Sequence, residues 1–132
     1  MSKDEAVLIC CGLVTLDLTQ VVRALPGPNE KVVAVSQSAT FGGPAANAAA
    51  TAAALGVRTR LVTAVGSGVL ADVVRAEVAA AGVELVEPAS EDGSEPAARP
   101  DGADGPAVST VLVTAGTGER AVVSTNAANR PV

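Results

Sequence analysis

The 132-residue chain has no histidine, tryptophan or tyrosine, and its one phenylalanine is Phe41. Without histidine, imidazole acid–base chemistry and the commonest zinc sites are excluded. With one aromatic ring there is almost nothing for nucleobases to stack on, and a net charge of −5 offers no basic stripe, so neither nucleic acid nor an anionic membrane suits it as a partner. Long apolar runs are missing as well. Residues 6–14 are too few to span a bilayer and follow Asp4 and Glu5 rather than a basic segment, which reads as neither a membrane anchor nor a signal peptide. The expected location is cytoplasmic. The only two cysteines, Cys10 and Cys11, are adjacent. Neighbours on a strand point to opposite faces and rarely close a disulfide, so both read as buried reduced thiols.

What the chain does have is 48% hydrophobic residues, enough for one folded core built from Ala, Val and Leu. "AVLICCGLVTLDL" is a nearly continuous apolar run ending near Asp17, the pattern of a central parallel strand buried on both faces. A carboxylate at the carboxyl end of such a strand is where open α/β sheets place ligand groups. "VVRALPGPNE" and "KVVAVSQSATF" read as two short excursion strands around a Pro-Gly-Pro turn, the second alternating Val33, Val35, Gln37 and Ala39 with Ala34, Ser36, Ser38 and Thr40. Helical pattern runs from Pro44 to Leu55 and stops at Gly56. "RTRLVTAVG" is a strand, "VLADVVRAEVAAAG" a helix closed by Gly82, and "VELVEP" a further strand. This β-α-β-α-β alternation argues for a parallel sheet. Residues 87–107 are acidic, rich in Pro, Gly and Ala and without period, which predicts a mobile loop. "AVSTVLVTA" and "RAVVSTN" flank "GTGE" as a hairpin, with Gly116 and Gly118 able to take positive φ.

Chemistry concentrates in "FGGPAANAAATAAALG". Gly42 and Gly43 remove two Cβ atoms where backbone can approach a ligand, and the helix that follows presents unpaired N–H groups. Asn47, the only amide on that helix, can donate to one hydroxyl and accept from another, and Asp17 supplies acceptors. A carboxylate, an amide and bare N–H groups around one pocket make a polyol-recognition set. On the bare pattern, a tight loop with a capping or solvated Asn47 fits as well. The segment lacks the Lys-Ser/Thr ending of a phosphate-binding P-loop, and it is no dinucleotide fingerprint.

The same residues resemble the first signature of the ribokinase/PfkB carbohydrate kinase family. That signature reads Gly-Gly, an optional residue, a small residue or Pro, any residue, Asn, any residue, a small residue, then glycines at fixed spacing. Gly42, Gly43, Pro44, Asn47, Ala49, Gly56 and Gly66 stand at those positions. Within the family, "CCGLVTLD", "ALPGPNEKVVAVSQ" and "GERAVV" are most similar to the ketohexokinase and fructokinase branch. The resemblance implies a partial Rossmann-like α/β ribokinase fold in residues 1–132, with a small β-sheet lid from strands about 18–40 and 108–125. It implies ATP- and Mg²⁺-dependent phosphorylation of a sugar hydroxyl, a homodimer formed through the lid, and substrate contacts from Asp17, Gly42, Gly43 and Asn47. Arg120 falls on a basic position of the late hairpin; a solvated hairpin charge explains it equally well.

Three departures matter. Gly68 stands where relatives often have Asp, Pro44 stands where they often have Lys or a polar residue, and the acidic stretch 87–107 is unusual. The catalytic base of the family is an Asp in a downstream Gly-Ala-Gly-Asp-like segment at a helix start. "PDGADG" has no following helix and is no substitute, so no catalytic residue is assigned. The chain reads as an amino-terminal portion that supplies the sugar side and is inactive alone; a non-catalytic sugar-binding or interaction module is the alternative.

Overall fold

The computed structural model describes residues 6–88 and 105–125. Seven strands and two helices follow one another as β1 (Leu8–Cys11), β2 (Thr15–Val22), β3 (Ser36–Gly42), α1 (Pro44–Ala54), β4 (Thr59–Val62), α2 (Val69–Ala80), β5 (Glu84–Val86), β6 (Ala107–Thr114) and β7 (Arg120–Ser124). They form two sheets: a parallel one in the order β1-β4-β5 and a mixed one in the order β3-β2-β6-β7. The architecture is the expected mixed α/β class.

The apolar run from Ala6 to Leu18 is not a single strand: β1 lies in the parallel sheet and β2 in the other. The break falls at Gly12, with φ +147°, where a Cβ would stand 3.1 Å from the Ala45 methyl at the start of α1. Close passage of that helix turns the chain, and apolar character alone carries no sign of it. β1 is consequently an edge of the parallel sheet among the described residues, and Leu8 and Ile9 are exposed rather than buried on both faces. Cys10 is half-buried and Cys11 exposed, both as free thiols, so the expectation of two buried thiols fails for Cys11. Asp17 is the third residue of β2 and does not end a strand.

The helices match the sequence closely. Alanine has the highest helix propensity, and α1 is almost all alanine with Pro44 in its first turn, where a missing N–H costs nothing. Both helices close with the same device. Gly56 (φ +84°) and Gly82 (φ +76°) adopt the left-handed conformation, and the amides of Gly56 and Val57 bond back to Ala53 and Ala52, as those of Gly82 and Val83 do to Ala79 and Val78.

Small apolar residues fill the core. Ala46 and Ala49 of α1, Ala71, Val74 and Val78 of α2, Leu61 of β4 and Leu16 of β2 are all essentially inaccessible and form one cluster. Cys10, Leu61 and Leu85, which share one face by register, pack into it. The opposite face carries Ile9, Arg60 and Glu84, where Arg60 Nε lies 2.9 Å from Glu84 Oε2. That guanidinium holds the Glu84 carboxyl below its usual range.

In the mixed sheet, Leu16, Leu18, Phe41 and Val108 face the cluster. Residues 23–35 between β2 and β3 form no strand, so Val33 and Val35, expected within the second excursion strand, lie before β3 and are exposed. The link turns at Gly27, whose N–H donates to Glu30 Oε2 at 2.8 Å. The hairpin of β6 and β7 forms as expected, with Gly116 at φ +88° and Gly118 at φ +73°. Most of the expected loop 87–107 lies outside the described residues.

Leu61 of β4 is fully buried in the core cluster, with α1 packed against its strand. Leu61→Ala should lower the unfolding free energy by about 2–5 kcal/mol in urea melts, since an all-small-residue surround has few long side chains with which to refill the cavity.

Candidate functional site

Strand pairing assembles the site. Asp17 sits on β2 between Thr40 of β3 and Ser109 of β6, and Ser124 of β7 continues the row. Paired residues project to the same face, and here that face is opposite to Leu16, Leu18 and Phe41, which enter the core. Two residues back on the same face, Thr15 Oγ1 donates to Asp17 Oδ1 at 2.9 Å and is itself only 8% exposed. The carboxylate is thereby oriented, with Oδ2 turned toward Gly42.

Gly42 closes β3 opposite Thr15. A Cβ there would fall 2.2 Å from Asp17 Oδ2 and 2.9 Å from Thr15 Oγ1, so the space of a side chain at position 42 is the space that the carboxylate occupies. Gly43, the N-cap of α1, has φ +96°, and a Cβ on it would meet the Leu13 carbonyl oxygen at 2.4 Å. Any other residue would be strained there both by conformation and by contact. The pair therefore lets the helix start directly above the carboxylate. No side chain caps α1, and a negative group at a helix start complements the dipole and the unpaired N–H groups.

Asn47 lies one turn in. Its N–H donates to the Gly43 carbonyl at 2.9 Å and its own carbonyl accepts from Thr51 Oγ1 at 2.8 Å. Its side chain is exposed, whereas Ala46 and Ala49 beside it point into the core. Asp17, Gly42, Gly43 and Asn47 thus gather at one helix start. Arg120 does not join them. It opens β7 in the row of Val21 and Val113, four residues along the strands and two strands across from Asp17, which amounts to about 13 Å along the sheet and about 10 Å sideways.

Two features escape sequence reading. Thr15 is visible only in retrospect, as a hydroxyl two residues from Asp17 and so on its face of a strand. The pair Ser109 and Ser124, whose hydroxyls are 3.1 Å apart beside Asp17, depends on the β2–β6 register and leaves no local signal. A third group, around Arg75 of α2, holds the loop after β4. The guanidinium bonds Glu87 at 2.9 and 3.0 Å, Asp72 at 3.1 Å and the Gly66 carbonyl, while Glu87 accepts from the Val65 N–H at 3.3 Å. Glu87 raises the Arg75 pKa further above its ordinary value. Gly66 is held by this ion-pair group.

Among the described residues, no three cysteine, aspartate or glutamate side chains converge to hold a metal ion. None forms a phosphate-binding loop with a following lysine either.

The fold, two sheets with a carboxylate set under a glycine-led helix, is that of the ribokinase-type sugar kinases. The pfkB family carbohydrate kinase pattern matches residues 6–96, and the chain belongs to that family. Among solved structures, a protein from Agrobacterium tumefaciens assigned as a ribokinase is 25% identical with a TM-score of 0.70, covering 89% of this chain and 35% of its own. The ribokinase of Giardia lamblia is 20% identical with a TM-score of 0.70, over 91% of this chain and 36% of its own. An Arabidopsis thaliana ribokinase complexed with ribose and ATP is 18% identical with a TM-score of 0.58, over 89% and 35%. The chain spans about a third of the length of these relatives. Comparison with curated protein sequences returned no match. No helix among the described residues is long and apolar enough to cross a membrane.

The glycine contacts give a test by non-additivity. Gly43→Ala meets a backbone carbonyl at positive φ and should cost about 2–4 kcal/mol of stability, whereas Gly42→Ala meets a side chain that can swing away and should cost about 1–2 kcal/mol. Adding Asp17→Ala should relieve most of the Gly42→Ala loss and none of the Gly43→Ala loss, as read from denaturation midpoints of the three single and two double variants.

Proposed function

We propose that this chain supplies the sugar-binding and lid part of a kinase that transfers the γ-phosphoryl of ATP, with Mg²⁺, to a hydroxyl of a ketose or related sugar. The observation that carries the reading is the Cβ-free approach of Gly42 to the Asp17 carboxylate, with Gly43 close against the Leu13 carbonyl. It opens a surface where acceptors, helix N–H groups and the exposed Asn47 amide stand together. Asp17 accepts hydrogen bonds from sugar hydroxyls, Asn47 both donates and accepts, and the first turn of α1 donates to a hydroxyl oxygen. The similarity of "CCGLVTLD" and "GERAVV" to the ketohexokinase and fructokinase branch favours a ketose. Membership of the pfkB family supports the reaction class.

In this reading the mixed sheet is the lid, and ATP, Mg²⁺ and the base that takes the hydroxyl proton belong to the remainder of the fold. Phosphoryl transfer needs an in-line nucleophile, a base and groups over the phosphates acting jointly. In this reading the 132-residue chain holds the sugar whose hydroxyl is the nucleophile. The lid also offers a dimer surface: Val122 and Val123 of β7 and Val33 and Val35 of the β2–β3 link are exposed and apolar. Its location in this reading is cytoplasmic.

Binding is tested by titrating the polypeptide from the complete reading frame with fructose, ribose, glucose and adenosine. Asp17→Ala and Asn47→Ala should each weaken the preferred ligand by about 1–3 kcal/mol; unchanged affinity in both would sink the site. In an ATP-coupled assay the complete polypeptide should turn over and the 132-residue chain should not. Sugar binding by the complete polypeptide without turnover would instead point to a non-catalytic module. Sedimentation at micromolar concentration should show a dimer, and a monomer would count against the lid interface.

A further inference from the structure

We propose that Arg75 is a positioning residue for the sugar site: its guanidinium clamps the loop between β4 and α2 against the entry of β6, the strand that sets Ser109 beside Asp17. The inference rests on the reading of Asp17 as a sugar-binding residue and names a residue outside the site on which its geometry depends.

The loop has little of its own to fix it. Gly66 and Gly68 both take positive φ, +85° and +90°, and glycine is the residue with the fewest conformational limits. No side chain caps α2 at Gly68. The fastening comes from two turns into the helix. Arg75 donates to the Gly66 carbonyl and, through Nε and Nη2, to both oxygens of Glu87 at 2.9 and 3.0 Å. Glu87 directly follows β5, and its Oε1 accepts from the N–H of Val65, a wholly buried member of the core cluster, at 3.3 Å. An exposed ion pair standing alone contributes little. Here the pair is a two-point fork that also grips backbone on both sides of it, with the Arg75 and Glu87 side chains only 35% and 33% exposed.

The clamped loop touches the sheet that bears the site. A Cβ on Gly105 would stand 3.8 Å from the Ser67 carbonyl oxygen, which puts the loop in contact distance of the chain just before β6. Pro106 and Ala107 are buried at that point, and Ala107 pairs with Thr15, the hydroxyl that orients the Asp17 carboxylate. Two residues further along β6, Ser109 pairs with Asp17 itself. α2 lies against β2 and β3 as well as β5, so the loop is seated where the two sheets meet. Removing the guanidinium releases the Gly66 carbonyl and the Glu87 carboxylate together. The β2–β6 pairing remains, but its entry loses the backbone that stands behind Gly105, and Thr15, Asp17 and Ser109 lose a fixed neighbour.

The test uses the polypeptide from the complete reading frame, with fructose, ribose and ATP titrated separately. Arg75→Met should weaken the preferred sugar about three- to tenfold and leave ATP affinity unchanged. Glu87→Gln should act in the same direction, and the double variant should lose no more than Arg75→Met alone, because both residues work through one clamp. Arg75→Lys, which keeps the charge without the fork, should fall between the wild type and Arg75→Met. Should Arg75→Met fail to fold, Glu87→Gln and Arg75→Lys read the same quantity. Unchanged sugar affinity, or equal losses for sugar and ATP, overturns the inference. Asp17→Ala, run alongside, separates the two readings. If it weakens the sugar while the Arg75 and Glu87 variants do not, the sugar site stands and the clamp falls. If Asp17→Ala changes nothing, or no sugar binds, both fall.

Discussion

The close approach of Gly42 and Gly43 to the strand beneath them is the constraint on which the rest of the structure depends. Gly43 lies against the Leu13 carbonyl and Gly42 against the Asp17 carboxylate. A side chain at Gly43 would press on the backbone at Leu13, and one at Gly42 would displace the Asp17 carboxylate. β3 leads directly into α1, and α1 packs on the parallel sheet through Ala46 and Ala49, so the joint between the sheets rests on this close approach. One absence of Cβ atoms therefore serves both the joint between the sheets and the exposure of a carboxylate at a helix start.

Small side chains make that joint feasible. Ala46, Ala49 and Ala71 bring helix backbones near the strands, and Val65, Val74 and Val78 fill what remains. Such a core gains little from any single residue and depends on dense packing throughout. Around it, charge is used for fastening rather than for recognition. Arg75 ties α2 to the end of β5 and to the loop at Gly66, and Arg60 ties β4 to β5 through Glu84. The carboxylate of Asp17 is left without an arginine or lysine partner among the described ion pairs, held instead by a threonine hydroxyl. That division fits the proposed role of this surface in meeting hydroxyl groups.

Much of the fold was legible from local pattern. Both helices, their glycine stops, the two later strands of the parallel sheet and the β6–β7 hairpin follow from periodicity and from glycines in turns that need positive φ. Gly42, Gly43 and Asn47 were legible as a cluster because they are neighbours in sequence. Asp17 was identified as a site residue on an expectation that placed it at a strand end, whereas it sits within β2. The apolar run before it concealed a change of sheet, since hydrophobicity reports burial and says nothing about which sheet does the burying.

The sequence by itself determined the elements whose causes are local: helix from alanine, stops from glycine, a hairpin from "GTGE", and a glycine pair ahead of an amide. The tertiary structure alone decided what meets across distance. It broke the first apolar run at Gly12, where α1 crosses. Parallel pairing of β2 with β6 put Ser109 beside Asp17, the β6–β7 pairing carried that row on to Ser124, and the same registers set Arg120 at the other end of the sheet. Strand register between segments some ninety residues apart is fixed by packing of the whole core, and no single stretch of the chain contains it.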